Sequence, residues 1–301
     1  MTLPDWTLLN FVFREPCKGV DDSSYVVASF CDIILTKSEI DYLRPSNKIY
    51  PKVMNIWAAY LSDKHSDSWF LPASFGERAC DSKLTTRRNW MTTIIEECGL
   101  HRFNRRFKHC SKILVPLLDV TSNHWFLLVT RPAAKVVEIW DTKQQDISAS
   151  TRTYFESRRL NMAICVMKFL HKVFSNDMTR PRDTCYHIRS FQIDNLNVSK
   201  NNVDRFDSGV YVMKQMQGFG EVPSQFQSIH ERSVVSLSIV KDPKNEKLKS
   251  MKEAAGLKQT ERSIPTKPVG IHTYDEADSA NCDNIPKGRK SRSHRRRRGH
   301  R

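Results

Sequence analysis

No apolar run in this sequence of 301 residues approaches the ~20 residues that a helix needs to cross a membrane. Residues 1–13 are largely apolar, but Pro4 and Asp5 interrupt them and no basic segment precedes them, unlike a secretory signal peptide. We therefore expect a soluble protein with no membrane partner.

Paired cysteines of the CxxC type are also absent. The 8 cysteines are scattered, which is typical of reduced thiols in an intracellular protein rather than of a disulfide-rich secreted one. One cluster, Cys98, His101, His109 and Cys110, has the residue types of a metal site, but its spacing matches no common zinc pattern. We expect neither a metal nor a cofactor.

Aromatic and acidic residues become scarce near the C-terminus. Residues 241–301 contain one aromatic side chain, Tyr274, and 17 Lys/Arg against 8 Asp/Glu, which accounts for +9 of the net charge of +15. Such a segment cannot bury enough apolar surface to fold alone. It ends in a basic run from Lys287 to Arg301 that is typical of a nuclear localisation signal or a nucleic-acid tether.

This change in composition sets the expected domain organisation. We predict a folded domain over residues 1–225 and a basic, mostly disordered tail over 226–301. The tail's expected partners are an import receptor or nucleic acid bound without sequence preference, because no aromatics are interleaved for base stacking. The expected location is the nucleus, with the cytoplasm as the alternative, and a solvated tail without a dedicated partner also fits.

The body has the composition of a globular domain, with 39% hydrophobic residues and 15 phenylalanines. Its patterns predict an α+β order. The predicted elements are a capped helix over 36–43, a helix with Val53, Trp57, Tyr60 and Leu61 on one face, a strand over 112–118 with Pro116 at an edge or bulge, a buried helix over 160–174 and a strand beginning near Phe191.

A small polar residue between an acid and a glycine precedes a helical apolar run at Asp207-Ser208-Gly209. A side chain there points out of a first helical turn, where free N–H groups and the positive dipole end favour an anion. This is a good position for a thiolate, but the residue present is a serine. The motif is also an ordinary turn and helix cap.

An acid–base pair is predicted upstream. Residues 124–130 and 135–141 have the pattern of two strands joined by a short turn at 131–134 that contains a proline. Antiparallel pairing across this turn sets His124 opposite Asp141. The aspartate can then orient the imidazole and leave its other nitrogen for a nucleophile.

The order of these motifs resembles the SUMO and ubiquitin-like-protein-specific cysteine peptidases. His124-Trp125, then Asp141 at a strand end, then Asp207-Ser208-Gly209 before a helix carry the resemblance. Segments 35–45 and 69–72 look like divergent, often transposon-associated members found in plants. The resemblance covers roughly residues 30–220 and implies a papain-like α+β fold, a mixed sheet packed against helices, that cleaves peptide or isopeptide bonds of a ubiquitin-like modifier.

Residue roles follow from this resemblance. It implies that His124 is the general base, Asp141 its orienting acid and Ser208 the residue at the nucleophile position. Trp125 matches the tryptophan that helps to cover the tunnel for the substrate's Gly-Gly tail. Simple packing in the hairpin core is the alternative for Trp125.

Three positions depart from the family pattern. Ser208 replaces the nucleophilic cysteine, Asn202 stands where a glutamine stabilises the oxyanion, and Lys48 stands where a second tunnel tryptophan is expected. Asn202 is equally well a loop residue in its own right. We therefore expect a SUMO-type peptidase by descent whose activity is weak or lost; the alternatives are a pseudopeptidase that binds a ubiquitin-like protein and a nucleic-acid-tethered, transposon-derived protein.

Overall fold

The computed structural model describes residues 1–14, 23–30, 33–81, 110–142, 148–175, 187–197, 206–218 and 226–257. Strands β1 (Val26–Phe30) and β2 (Ile33–Thr36) form an antiparallel pair. A separate five-stranded sheet contains, in spatial order, β3 (Ser68–Phe70), β4 (Lys112–Asp119), β5 (His124–Arg131), β6 (Val136–Asp141) and β7 (Gln192–Asn197).

The described helices surround this sheet. They are α1 (Leu3–Val12), α2 (Lys37–Ile40), α3 (Pro51–Lys64), α4 (Ala73–Cys80), α5 (Ala149–Ser175), α6 (Ser208–Gln217), α7 (Ser228–Lys241) and α8 (Leu248–Ala254). Short 3₁₀ turns lie at Asp41–Leu43 and Ile188–Ser190. Within these residues, no helix combines the length and apolar character that crossing a bilayer requires.

Strand direction makes the sheet mixed. The pairs β4–β5 and β5–β6 are antiparallel, whereas β3–β4 and β6–β7 are parallel. Helices and a mixed sheet in this order confirm the predicted α+β class.

Both faces of the sheet are buried, because alternate residues of each strand enter different cores. On β5, Trp125, Leu127 and Val129 pack with α1, α3, α6 and α7. Their neighbours Phe126 and Leu128 pack with α4 and α5 on the opposite face. The period of two along a strand thus gives a sheet between two helical layers.

The hairpin of β5 and β6 forms as predicted, but its register differs. Leu127 pairs with Trp140 and Arg131 with Val136, so His124 is displaced by two residues from the partner predicted for it, Asp141. The turn lies one residue later than predicted, with Lys135 at a positive φ of 56°. A shift of two residues keeps a side chain on the same face, so the two side chains still meet diagonally.

Other predicted elements are present. Thr36 and Glu39 form the expected reciprocal capping box at the start of α2. Pro116 lies in β4 beyond the part that pairs with β3, since that pairing ends at Leu114. A proline without an N–H is tolerated there because the strand is locally an edge.

The domain boundary differs from the predicted one. Helices α7 and α8 follow residue 225, yet they belong to one compact unit, Met1–Gln259. Val235, Ile239 and Met251 enter the same core as Trp125. Composition hid these helices because buried charged residues dilute their apolar faces; the disorder predicted for the rest of the tail falls on residues outside the described ones.

Candidate active site

His124 and Asp141 form a buried pair at one end of the β5–β6 hairpin. The Nε2 atom of His124 lies 2.7 Å from Oδ1 of Asp141, and the His124 side chain is 2% exposed. Its other nitrogen, Nδ1, has no hydrogen-bond partner among the described residues. The predicted pair is therefore brought together, with one imidazole nitrogen left available.

Ser208 is the first residue of α6 and points towards the same strand. Its Oγ accepts a hydrogen bond of 3.2 Å from the backbone N–H of Trp125, the residue after His124. Ser208 is buried, as are the next five residues of the helix, Gly209 to Met213. Asp207 occupies the N-cap position but makes no side-chain cap hydrogen bond to the helix.

The glycine after Ser208 is required by a close approach. A Cβ atom on Gly209 would lie 2.6 Å from Cβ of Ile49 and 2.9 Å from Cδ1 of Trp125. The indole N–H of Trp125 donates to the carbonyl of Ile49 at 3.1 Å. Trp125, Ile49 and the start of α6 are therefore in direct contact, and Trp125 serves the core as well as the site.

Lys48 lies near the residues that precede α6. Its Nζ lies 5.9 Å from the ring centroid of Phe206, two residues before Ser208, and its side chain is half-buried. The structure thus places Lys48 near the candidate site. Asn202 lies outside the described residues.

Arg232 of α7 is a buried contact residue that the sequence did not reveal. Its Nη2 donates to the carbonyls of Asn47 and Phe206 at 2.9 and 3.0 Å and to Oδ1 of Asp207 at 2.8 Å. Its Nη1 donates to the carbonyl of Arg44 at 2.9 Å. One guanidinium therefore joins the loop before Ile49 to the residues that position Ser208.

Helix α5 supplies two further arginines to the part of the site around His124 and Asp141. Arg159 is buried and its Nη1 donates to Oδ2 of Asp141. Its neighbour Arg158 binds Oδ1 of Asp119 at 2.8 Å. Asp119 is buried opposite His124 in the β4–β5 register.

The charge on Asp119 is held by its partners. Burial alone would raise the pKa of this carboxyl, but hydrogen bonds from Ser122, Arg158 and the Thr121 N–H outweigh it and set the pKa below its usual value. Asp119 and Asp141 thus both face arginines of α5.

Two of the described cysteines, Cys80 and Cys110, are poor candidates for a substitute nucleophile. Cys80, Cys110 and Cys165 are free thiols. Burial raises the pKa of Cys80 to about 11 and that of Cys110 to about 12, which suppresses the reactive thiolate. Among the described residues no group of three or more His, Cys, Asp or Glu is placed to hold a metal, and most of the Cys98–Cys110 cluster lies outside them.

Comparison with known families places the fold. Residues 65–252 match the Ulp1 protease family, C-terminal catalytic domain. The chain belongs to this family. The match extends through α7 and most of α8, which agrees with the observed domain boundary rather than with one at 225. No curated protein matches the sequence significantly.

Solved structures of Ulp1 have the same fold. The C-terminal Ulp1 protease domain in complex with Smt3, the yeast ortholog of SUMO, has a TM-score of 0.56 at 14% identity, covering 81% of this chain and 97% of that one. The SUMO protease Ulp1 with its catalytic cysteine oxidized to a sulfonic acid has a TM-score of 0.57 at 14% identity, covering 81% and 98%. At this identity the likeness establishes the Ulp1 catalytic-domain fold, which confirms the predicted fold class.

Proposed function

We propose that this Ulp1-family domain binds the C-terminal tail of a ubiquitin-like modifier. Its hydrolysis of the peptide or isopeptide bond after that tail is weak or absent. In this proposal His124 is the general base, Asp141 orients it and Ser208 occupies the nucleophile position. The observation that supports it best is that the pair is intact and buried while the Ser208 hydroxyl is held by the Trp125 N–H.

The chemistry of Ser208 explains the expected weakness. A cysteine at a helix N-terminus beside a histidine ionises in advance, because its pKa of ~8.5 falls to ~3–4. A serine hydroxyl has no such anion and must pass its proton to His124 Nδ1 as its oxygen bonds to the carbonyl carbon. The imidazolium then returns the proton to the leaving amine, and water releases the acyl group in the same manner.

The reach of the oxygen adds to the difficulty. Ser208 Oγ already accepts from the Trp125 N–H, and His124 Nδ1 makes no hydrogen bond to a described residue. The longer C–S bond of a cysteine would bring its sulfur further from the helix. A site of this form suits a thiol better than a hydroxyl.

Oxyanion and substrate contacts complete the proposal. Asn202 takes the oxyanion-stabilising role with a side chain one methylene shorter than glutamine, and loss of such a donor costs ~10²–10³ in turnover. Trp125 and Lys48 contact the modifier's tail. The contact between Trp125 and Ile49 and the position of Lys48 beside Phe206 support a substrate path at the start of α6.

The test restores the thiol. Ser208→Cys and the unaltered protein are incubated with ubiquitin and SUMO that carry a C-terminal vinyl methyl ester, and intact-protein mass spectrometry measures the adducts. We expect an adduct on Ser208→Cys and none on the unaltered protein. His124→Ala in the Ser208→Cys background should slow labelling by ~10²–10⁴.

Two outcomes would contradict the proposal. Turnover of ester substrates by the unaltered protein, abolished by His124→Ala and by Ser208→Ala, would establish an active serine peptidase. Absence of any adduct on Ser208→Cys, with the variant folded, would show that the groove no longer accepts a modifier tail.

For the C-terminal segment we propose nuclear targeting through the basic run 287–301, with sequence-independent nucleic-acid binding as a second role. The run contains 9 Lys/Arg, which supports a contact with phosphates or an acidic import receptor. Replacing Arg295–Arg298 with serine should reduce the slope of log affinity for duplex DNA against log salt by about 3 to 4. If a fluorescent fusion of this variant leaves the nucleus while the DNA affinity of the protein is unchanged, import is the only role of the run.

A further inference from the structure

The Asp141 carboxylate is shared between an imidazole and a guanidinium. Its Oδ1 meets His124 Nε2 at 2.7 Å, and its Oδ2 accepts from Nη1 of Arg159. The two oxygens of one carboxylate are therefore both engaged, and the carboxylate plane is fixed between the imidazole and the guanidinium.

Arg159 is itself fixed by the turn between β4 and β5. Its Nη2 donates to Ser122 Oγ at 3.4 Å and its Nε lies 4.0 Å from Asp119 Oδ2. Ser122 Oγ in turn donates to Asp119 Oδ2 at 2.7 Å. The arginine thus bridges the end of β4 and the end of β6, and it stands on the long helix α5 rather than on a loop.

Arg158 provides an internal comparison. It is the adjacent residue of the same helix, it also binds a buried carboxylate, and its side chain is 37% exposed against 6% for Arg159. Its carboxylate partner is Asp119, and within the described residues it bonds to neither Asp141 nor His124. A substitution at 158 therefore disturbs the same helix and network without touching the acid of the site.

We infer that Arg159 is a positioning residue: it holds the Asp141 carboxylate so that Oδ1 accepts the Nε2–H of His124 and Nδ1 stays unprotonated for the residue at position 208. This inference rests on the proposed function for the roles of His124 and Asp141. A carboxylate that could rotate freely would hold the imidazole less firmly, and the wrong tautomer is inactive as a base. A planar guanidinium suits this task because its donors are fixed relative to each other.

The first measurement is ¹⁵N NMR of the histidine side chains in the full chain, with His124 assigned by His124→Gln. We expect a protonated Nε2 and an unprotonated Nδ1 in the unaltered protein. Arg159→Gln should convert this signal to a mixture of tautomers, whereas Arg158→Gln should leave it unchanged. An Arg159→Gln spectrum identical to that of the unaltered protein would overturn the inference.

The second measurement follows reactivity in the Ser208→Cys background. Iodoacetamide, a small neutral electrophile, reports on base-assisted thiol reactivity at position 208 without needing a modifier. Arg159→Gln should slow alkylation ~10-fold or more, by analogy with the ~10² lost on a ~1 Å misplacement, and Arg159→Lys should recover part of the rate. Equal rates for Arg159→Gln and Arg158→Gln would overturn the inference.

Folding and function are separated as follows. Thermal melting establishes whether each variant is folded. If Arg159→Gln is unfolded, Arg159→Lys takes its place in both measurements. An alkylation rate equal to that of Ser208→Cys, together with the His124 tautomer of the unaltered protein, would then overturn the inference. Failure of every modifier probe on Ser208→Cys would end the proposed function. The NMR result would still stand, because it depends on neither a modifier nor turnover.

Discussion

The two sides of the candidate site are built by different means. On the His124–Asp141 side, buried polar side chains are linked by hydrogen bonds. Asp119 and Asp141 are each bound by an arginine of α5. The Ser208 side consists of apolar packing around Gly209 and of backbone carbonyls gathered by one arginine of α7. The first side orients an imidazole that can carry a proton in the proposed function. The second side fixes the position of the start of α6.

On the proposed function, this difference accounts for a site that keeps its shape with a serine at the nucleophile position. The contacts that Arg232, Ile49 and the Trp125 indole make at the start of α6 do not involve the Ser208 hydroxyl; only the backbone N–H of Trp125 bonds to it. The contacts that stabilise the fold therefore also fix the start of α6, and a different side chain at position 208 would leave them in place.

The largest effect is expected where the Ser208 side depends on a single residue. Arg232→Met should destabilise the fold by ~3–5 kcal/mol, because it leaves several backbone carbonyls without their donor and the partly buried carboxylate of Asp207 without its cation. Urea unfolding of the variant measures this. Lys52→Met, which removes the exposed partner of the partly exposed Glu39 at 2.6 Å, should cost under ~1 kcal/mol, and equal losses for the two variants would contradict the role given to Arg232.

A moderate effect is expected at the close approach on α6. Gly209→Ala should cost ~1–3 kcal/mol, because the added methyl meets Cβ of Ile49 and the indole of Trp125, which cannot both move. Gly76→Ala is the matched comparison, since its methyl would meet mainly the tip of the flexible Leu117 side chain. Chemical denaturation should rank Gly209→Ala as the more harmful change; the reverse order would show that the wall at Ile49 yields.

The smallest effect is expected for the pH dependence of stability that Asp119 contributes. The folded pKa of Asp119 lies below the unfolded value of ~3.9, so its contribution to stability is complete above that pH and is lost as the pH falls through the folded pKa. Thermal melting between pH 6 and pH 2 should therefore show a shallower acid decline for Asp119→Asn than for the unaltered protein. Parallel curves would mean that Asp119 gains nothing from Arg158 and Ser122.

Local sequence patterns predicted the elements of the site but not the residues that hold them. The capping box at Thr36, the strands of the hairpin and the helix after Asp207 follow from periodicity and turn residues, which act within a few positions. The pairing of His124 with Asp141 was found with a register two residues wrong, and it survived because an even shift leaves a side chain on its face.

Arg159 and Arg232 escaped prediction for physical reasons. The predicted helix began at residue 160, because the polar first turns of α5 show no apolar stripe, and Arg159 lies in those turns. Arg232 lies beyond residue 225, where the basic composition suggested a tail. A buried arginine is identified by its acceptors, and these come from distant parts of the chain.

The clamp at Arg232 also has a consequence for the order in which the chain is made. Synthesis from the N-terminus produces Lys48, His124, Asp141 and Ser208 before α7 leaves the ribosome. Until then the loop at Asn47 and the start of α6 lack the guanidinium that joins them. A nascent or prematurely terminated chain would therefore contain each proposed catalytic group and still be unable to hold them in register.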